Sequence, residues 1–531
     1  MCCVKISLWN KKERERASEQ SRRREKKKMN KNYFVRSIAL TAAMTMLLAG
    51  CGGNTENPST NGTESGAKTS GETVQGDVSG SISVGYTSDY KTQYELLFKA
   101  FNEKYPNVEI TPVEISGSGL GQITKMNAFA ASGNLPDVCT GSEELGYIVQ
   151  QGWAYPLDNL VANDPDKDYI LEAGIKNFTY DGHLYALPQK LQFSGIYINE
   201  DLLNTLNMDK PGYDWTVEEF LEMAKKATTD EYSGINYVYN DSNPTWGLDT
   251  KLMGALLPKG YEQYGYSFET HNVDLTTNNA WVESNKIIQD MLSVKGLVAD
   301  SLWDSSSNGM SDYEKKFGKD SDALVSGKVL FGNHSTWEYA TFAQSRFNFD
   351  CYPVPTAEGL EQNIQTHIDF AYMTTNCTED NYQAAYEFLK FMTYSEEGCK
   401  IFMDESFKDL ESNPAAFQPY IPASANPAVL DYFEQSKIAD GIKYMYRSIV
   451  ENPELVQVAD CDKLIPNYWS DIRQYRDSVT ESIRNGADPS ALVNDLQSKI
   501  NTALTGTWEY FEESLQKNLE DFYASHPWEK Q

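Results

Sequence analysis

Between residues 81 and 139 the spacing of apolar positions changes several times. "SISVGY" (81–86) alternates apolar and polar residues, the two-residue period of a half-buried strand. Residues 91–105 then place Tyr94, Leu97, Phe98, Phe101 and Tyr105 three or four apart, which puts them on one face of a helix. "NVEITPVEI" (107–115) predicts a second strand, Ile123, Met126 and Ala130 a second helix, and "LPDVC" (135–139) a third strand. Strand and helix in strict succession predict a mostly parallel sheet covered on both sides.

Further along, "YDGHLYALP" (180–188) predicts a hairpin turning at Asp181-Gly182. Thr216 and Glu219 form a capping box ahead of a helix burying Val217, Phe220, Leu221 and Ala224. Ala385, Phe388, Leu389 and Met392 mark another helix over 382–393. "DPSALVNDLQSKINTAL" (488–504) carries Val493, Leu496, Ile500 and Ala503. A further amphipathic piece follows with Trp508, Phe511, Leu515, Leu519 and Phe522. Core packing accounts for all these faces.

Upstream of residue 81 the pattern is of another kind. Residues 1–28 are crowded with Lys and Arg and show no apolar period, so Met29 is read as the true start. Lys31 and Arg36 precede Ser37–Ala49, a run of 13 small and apolar residues. That is too short to span roughly 30 Å of hydrocarbon, but it suits the core of an export signal. "LLAGC" ends the run and resembles a bacterial lipobox, which implies cleavage before Cys51 and acylation of its thiol. Residues 1–50 are thus a signal region, and 51–80, rich in Gly, Ser, Thr and Asn, a flexible tether. An acyl anchor would hold the protein on the outer face of the cytoplasmic membrane.

Charge narrows the function. The chain carries 46 basic and 76 acidic residues, net −30, and residues 1–50 contribute 13 basic against 4 acidic. The exported part therefore stands near −39, which argues against binding nucleic acid or an anionic lipid surface through basic patches. Five cysteines remain beyond Cys51 (139, 351, 377, 399 and 461), scattered and without CxxC spacing. A disulfide framework or a structural zinc site is not expected, although one pair, Cys351 with Cys377 for example, could be oxidised.

Metal and catalytic patterns are weak. Asp164, Asp166 and Asp168 open like a calcium loop, but Tyr169 stands where glycine is needed and Ile175 where a glutamate would close it. "GSGLG" (117–121) lacks the last glycine of a dinucleotide fingerprint, and the five His show no paired spacing. No cofactor and no metal is expected.

Eight stretches in this order resemble the bacterial extracellular solute-binding proteins of family 1, the carbohydrate-type receptors of ABC importers. Among them are "FNEKYPNVEI" (101–110), "GNLPDV" (133–138), "AYPLDNLV" (154–161), "YDGHLYALPQKLQFSGIYINEDLLN" (180–204) and "ALVSGKVLFGNHSTW" (323–337). "DWTVEEFLEMAKKA" (214–227), "AAYEFLKFMTYSEEG" (384–398) and the 488–504 segment complete the set. The resemblance is collinear from about residue 81 to 505.

It implies an α/β fold of the two-lobe periplasmic-binding-protein type (type II), with a ligand cleft between lobes joined by crossing segments. The crossings would fall near Gln189–Ser194, near Pro355–Asn363 and after about 400. One lobe would comprise 81–191 and 364–400, the other 192–363 and 401–505, with 506–531 a helical extension. The implied function is capture of a carbohydrate, with an oligosaccharide favoured, and delivery to the membrane subunits of an ABC permease by a monomeric, non-enzymatic receptor. The alternatives are an exported glycosidase, or the same receptor with a solute that is not a sugar.

A sugar offers C–H faces to aromatic rings and hydroxyls to planar polar groups. Candidates follow from position. Tyr86, Asp89 and Tyr90 follow the first strand, and Gly141, Ser142 and Glu143 the third. Gln192 and Phe193 sit at the first crossing, and Asp369 and Phe370 after the second. Trp246 in "NPTWG", Trp337 after His334 in "GNHSTW", and Tyr468 with Trp469 in "IPNYWSD" lie where the family supplies aromatics. For the other rings core packing serves equally well, whereas the resemblance favours the site for Trp337 and Gln192.

Overall fold

The computed structural model describes residues 78–115, 120–141, 144–240, 246–303, 310–415 and 417–530. The signal region, Cys51 and the tether as far as residue 77 lie outside the described residues, as do Ser142 and Glu143.

Strands β1 Gly80–Thr87, β2 Val108–Ile115 and β3 Val138–Gly141 form where the alternation predicts them, parallel and in the order β2-β1-β3. Helix α1 Lys91–Lys104 packs Tyr94, Leu97, Phe98 and Phe101 inward. The predicted hairpin is β4 Thr179–Tyr180 with β5 His183–Leu184. Asp181 and Gly182 both adopt positive φ (49° and 81°), as a tight two-residue turn requires.

Residues 189–194, where the first crossing is expected, lie within β6 Leu187–Asn199, a strand of 13 residues. The remaining strands are β7 Ser233–Ile235, β8 Tyr266–Ser267, β9 Asn272–Val273, β10 Val329–Ser335, β11 Phe349–Pro353, β12 Ile364–Met373, β13 Ile421–Pro422 and β14 Val456–Val458. Up to Phe193, β6 pairs antiparallel with β12. From Ser194 onward it pairs antiparallel with β10, and from Gly195 also with β11. One strand thus serves two halves of the sheet and changes partners near Ser194. Gly195 allows the exchange, because a Cβ there would lie 2.7 Å from Cys351 Sγ and 3.1 Å from the Tyr352 carbonyl.

The main apolar core takes in residues of both halves, Tyr86 as well as Tyr197 and Cys351, and a smaller one lies apart from it. Around the second half of β6 a separate core gathers Ile196, Ile198, Trp215, Phe220, Phe331 and Tyr352. Burying side chains of this size contributes roughly 1.5–3 kcal/mol each. The Trp215 indole N–H also donates to the Pro353 carbonyl at 2.9 Å, which ties α3 Val217–Ala227 and its entry to β11. The Thr216–Glu219 capping box is formed in both directions. Helices α4 Leu248–Leu256 and α5 Ala280–Ser293 place one face in each core.

Beyond residue 401 the chain does not stay on one side. β13 pairs with β6 at Leu191 and Lys190, and β14 pairs in parallel with the start of β12, so both return to the first half. Helix α6 Tyr382–Thr393 buries Ala385, Phe388, Leu389 and Met392 as spaced. The two amphipathic pieces over 488–522 prove to be largely one helix, α7 Val493–Ser525, with no break at 505.

Cys139, Cys351, Cys377, Cys399 and Cys461 are free and buried. The pairing of Cys351 with Cys377 is not formed: Cys351 lies on β11, whereas Cys377 Sγ faces the Asp137 carbonyl at 3.5 Å. Among the described residues, no helix is long and apolar enough to cross a membrane.

Candidate functional site

The β6–β12 ladder sorts its side chains by the two-residue period of a strand. Register pairs Gln192 with His367 and Lys190 with Asp369, so Lys190, Gln192, Ser194, His367 and Asp369 share one face. Leu191, Phe193, Thr366 and Ile368 share the other.

The polar face carries a chain of charges. Lys190 Nζ lies 3.1 Å from Asp369 and donates to the Tyr90 hydroxyl at 2.9 Å. Asp369 also meets Lys463 at 3.3 Å, Lys463 meets Asp460 at 2.6 Å, and Asp460 faces His367 Nδ1 at 3.5 Å. His367 Nε2 is hydrogen-bonded to Ser194 Oγ at 3.0 Å. Burial disfavours the Lys190 ammonium, but Tyr90 and Asp369 outweigh it and hold the group above the ordinary lysine range. Burial likewise opposes ionisation of Asp460, and Lys463 and His367 override it, keeping that carboxyl low. Asp369→Asn removes the anion shared by two ammoniums. We expect a loss of about 2 kcal/mol in stability, read as a lower midpoint in denaturant.

An aromatic corner adjoins this chain. The Trp337 ring stands edge-on to His367 at 4.7 Å, and Trp246 lies 5.1 Å from Trp337. Both tryptophans are half-buried, which leaves ring surface open to solvent. Thr336 donates to Gln192 Oε1 at 2.5 Å and accepts the Phe193 N–H at 2.9 Å, fixing the turn that presents Trp337. Behind the turn, buried Lys251 donates to the Gly195 and His334 carbonyls at 3.2 and 2.8 Å. Burial pushes its ammonium down to about 8. His334 does not face open solvent: it bridges Asn236 at 2.8 Å and Glu338 at 3.0 Å.

Tyr90, Gln192, Trp246, Trp337 and Asp369 therefore converge. Asp89 is exposed on the same turn as Tyr90. The others go elsewhere. Tyr86 is 4% exposed and stacks on Tyr94 at 4.9 Å, because it continues the inward series Ile82, Val84. Phe193 and Phe370 are fully buried: Phe193 sits on the apolar face of the ladder, and Phe370 packs on Phe178 and beneath Gly141. A strand-end position thus does not place an aromatic in the site when the alternation points it inward. Tyr468 is buried and holds Arg476, whose Nη1 donates to its hydroxyl at 2.7 Å. Trp469 lies on the helix Tyr468–Asp471, and its side chain falls outside the described residues.

Position-based reasoning missed Lys190, His367, Asp460 and Lys463. For the first two a signal existed: "KLQFS" (190–194) and "HIDF" (367–370) alternate polar and apolar residues. Two buried carboxyls near this region also stand out. Burial and then Asp460 push Asp462 up to about 6, and burial and then Asp462 raise Glu144. The calcium-like aspartates instead hold an ammonium, with Lys390 Nζ 2.7 Å from both Asp164 and Asp166.

Half-exposed rings beside hydrogen-bonding groups can stack on C–H faces and accept or donate to a hydroxylated rim. In sequence, the family model described as bacterial extracellular solute-binding protein matches residues 85–398. In structure, the chain resembles an ABC substrate-binding protein from Listeria monocytogenes in complex with cycloalternan. That match has a TM-score of 0.56 at 17% identity and covers 81% of this chain and 100% of that one. A cyclic alpha-maltosyl-1,6-maltose binding protein from Arthrobacter globiformis gives 0.57 at 16% identity, covering 81% and 100%. A solute-binding protein from Thermotoga lettingae, bound with alpha-D-tagatose, gives 0.55 at 14% identity, covering 80% and 100%. These likenesses carry the two-lobe α/β fold.

Proposed function

The chain belongs to the bacterial extracellular solute-binding protein family, and from that premise we propose that it is the lipid-anchored carbohydrate receptor of an ABC importer. The observation that carries this reading is the corner where Trp246, Trp337 and His367 meet the polar face of β6 and β12. Rings and paired polar groups stand together there, where the sheet changes partners. One lobe is built on the first half of β6 and the other on the second, with the solute gripped between them. Contacts from both lobes favour the closed state, which the permease recognises. The named ligands of the similar structures include a cyclic oligosaccharide and a monosaccharide, which supports a sugar and leaves its length to experiment.

A thermal-shift screen over mono- and oligosaccharides tests the reading. A binder present at a hundredfold excess over its Kd adds about 2.7 kcal/mol and raises Tm. If no saccharide does so, the sugar reading fails. The raised pair Asp462 and Glu144 favours one rival, a glycosidase that keeps one acid protonated. Turnover of a bound glycan, lost in Asp462→Asn, would establish that rival instead.

The anchor has its own test. Cys51→Ser is expected to leave more than half of the protein in the aqueous phase of a detergent partition, and to end labelling by radioactive palmitate. Unchanged membrane association would remove the anchor from the proposal.

A further inference from the structure

Helix α7 runs 33 residues, roughly 50 Å, and is fastened at both ends to different parts of the body. Near its start, Asn501 accepts the Val273 N–H at 2.8 Å and donates to the Val273 carbonyl at 3.0 Å. Gln497 accepts the Leu275 N–H at 2.7 Å. These side chains satisfy β9 and the residues after it, much as a neighbouring strand would. The adjoining segment leads into α5, whose later turns place Ile288 and Met291 in the core of the second half, and Gln289 beside them donates to the Ala487 carbonyl, just ahead of α7, at 3.0 Å.

Near its other end the helix grips the first half. Asn518 donates to the Gln150 carbonyl at the end of α2 Leu145–Gln150, at 2.8 Å. Phe522 meets the Tyr155 ring edge-on at 4.7 Å. The turn that follows closes a latch. Glu529 accepts the Tyr155 hydroxyl at 2.5 Å and the Asn159 amide at 2.9 Å, and His526 Nε2 faces the Cys377 carbonyl at 3.2 Å. Glu529 is 8% exposed, so its carboxylate is spent on this contact. Midway, Trp508 stacks on His271 at 3.7 Å, and Phe511 lies 5.3 Å from Tyr180.

A helix does not stretch. Asn501 and Asn518 are held about 25 Å apart by the backbone ladder between them. Any rotation of one half about β6 and β12 must therefore carry α7 with it or break one set of fastenings. We infer that α7 and its latch form a strap that limits how far the two lobes open. The inference rests on the two-lobe reading and assigns a role to residues 506–530, which lie beyond the collinear family blocks. Releasing the latch frees the far end of the strap while leaving the hinge strands intact.

The test needs no solute. Cysteines introduced at the exposed positions Lys99 on α1 and Lys225 on α3 carry spin labels, one on each half. Pulsed dipolar spectroscopy of the full chain is expected to give one narrow distance distribution. A chain ended after Ser525 is expected to widen it at least twofold towards longer distances, and Glu529→Ala to widen it less. Circular dichroism checks that each variant is folded; if the shortened chain is not, Glu529→Ala decides. An unchanged distribution in a folded variant overturns the strap, and so does a full chain that is already broad. Saccharide-induced shifts in Tm are read separately. Their absence in the full chain would count against the receptor reading without altering the distance result.

Discussion

Replacing Trp337 by alanine is expected to weaken saccharide capture by ~30- to 100-fold, about 2–2.7 kcal/mol, with little change in fold stability. The ring stands at the end of β10, held by the Thr336 turn that also anchors Gln192. One edge contacts His367 and another side meets Trp246, while the rest remains open to solvent. A ring so placed adds stacking area to a bound sugar without paying for much rotamer freedom. Because it is half-exposed already, truncation leaves no sealed cavity. Trp246→Ala is expected to act in the same direction. Phe370→Leu, a change inside the core, should instead lower Tm and leave affinity nearly intact. Calorimetry with the saccharide that gives the largest Tm shift makes the measurement. Equal affinities for the parent and Trp337→Ala would move the site away from this corner.

The second large effect concerns pH. Glu262 is buried and accepts the Val458 N–H at 2.5 Å, and burial pushes its carboxyl up to about 7. Burial likewise pushes Asp249 and Asp462 up to about 6. A carboxyl whose folded pKa lies above its unfolded value, 4.5 for Glu262 and 3.8 for the two aspartates, stabilises fully only while it stays protonated. Its contribution falls as pH rises from about 4.5 through the folded pKa. For Glu262 that amounts to about 3 kcal/mol between pH 4.5 and 8.

The opposite sign holds for Asp164, Glu338 and Asp460, whose folded values lie below the ordinary ones. Their contribution is lost as pH falls below about 4. Stability should therefore peak near pH 5. Glu262→Gln keeps an acceptor for the Val458 N–H and removes the ionisation. It is expected to match the parent at pH 4.5 and to exceed it by about 3 kcal/mol at pH 8, a rise of about 3 °C in Tm. A parent whose stability rises steadily from pH 5 to 8 would show that Glu262 ionises freely.

Much of the fold was legible because local periodicity and burial agree. The spacing of Tyr94, Leu97, Phe98 and Phe101 defines a helix face that is buried in the structure, and Asp181-Gly182 marks a turn that only positive φ can make. The candidate site was legible in part. Tyr90, Gln192, Trp246, Trp337 and Asp369 come together, whereas Tyr86, Phe193 and Phe370 fill cores. The difference lies in the strand period, which turns Gln192 and Asp369 to one face of β6 and β12 and Phe193 and Phe370 to the other. Lys463 and Asp460 follow β14 without a pattern of their own, and their roles exist only because β14 pairs with β12.

The chain's own order of residues decides the alternation of strand and helix and the helix faces, since each depends on neighbours within a few positions. Tertiary structure alone decides that β6 serves two halves, that α7 is fastened to β9 and to the end of α2, and that Lys190 and Lys463 share Asp369. Those contacts join residues far apart in the chain. Register and packing, not local preference, bring them within bonding distance.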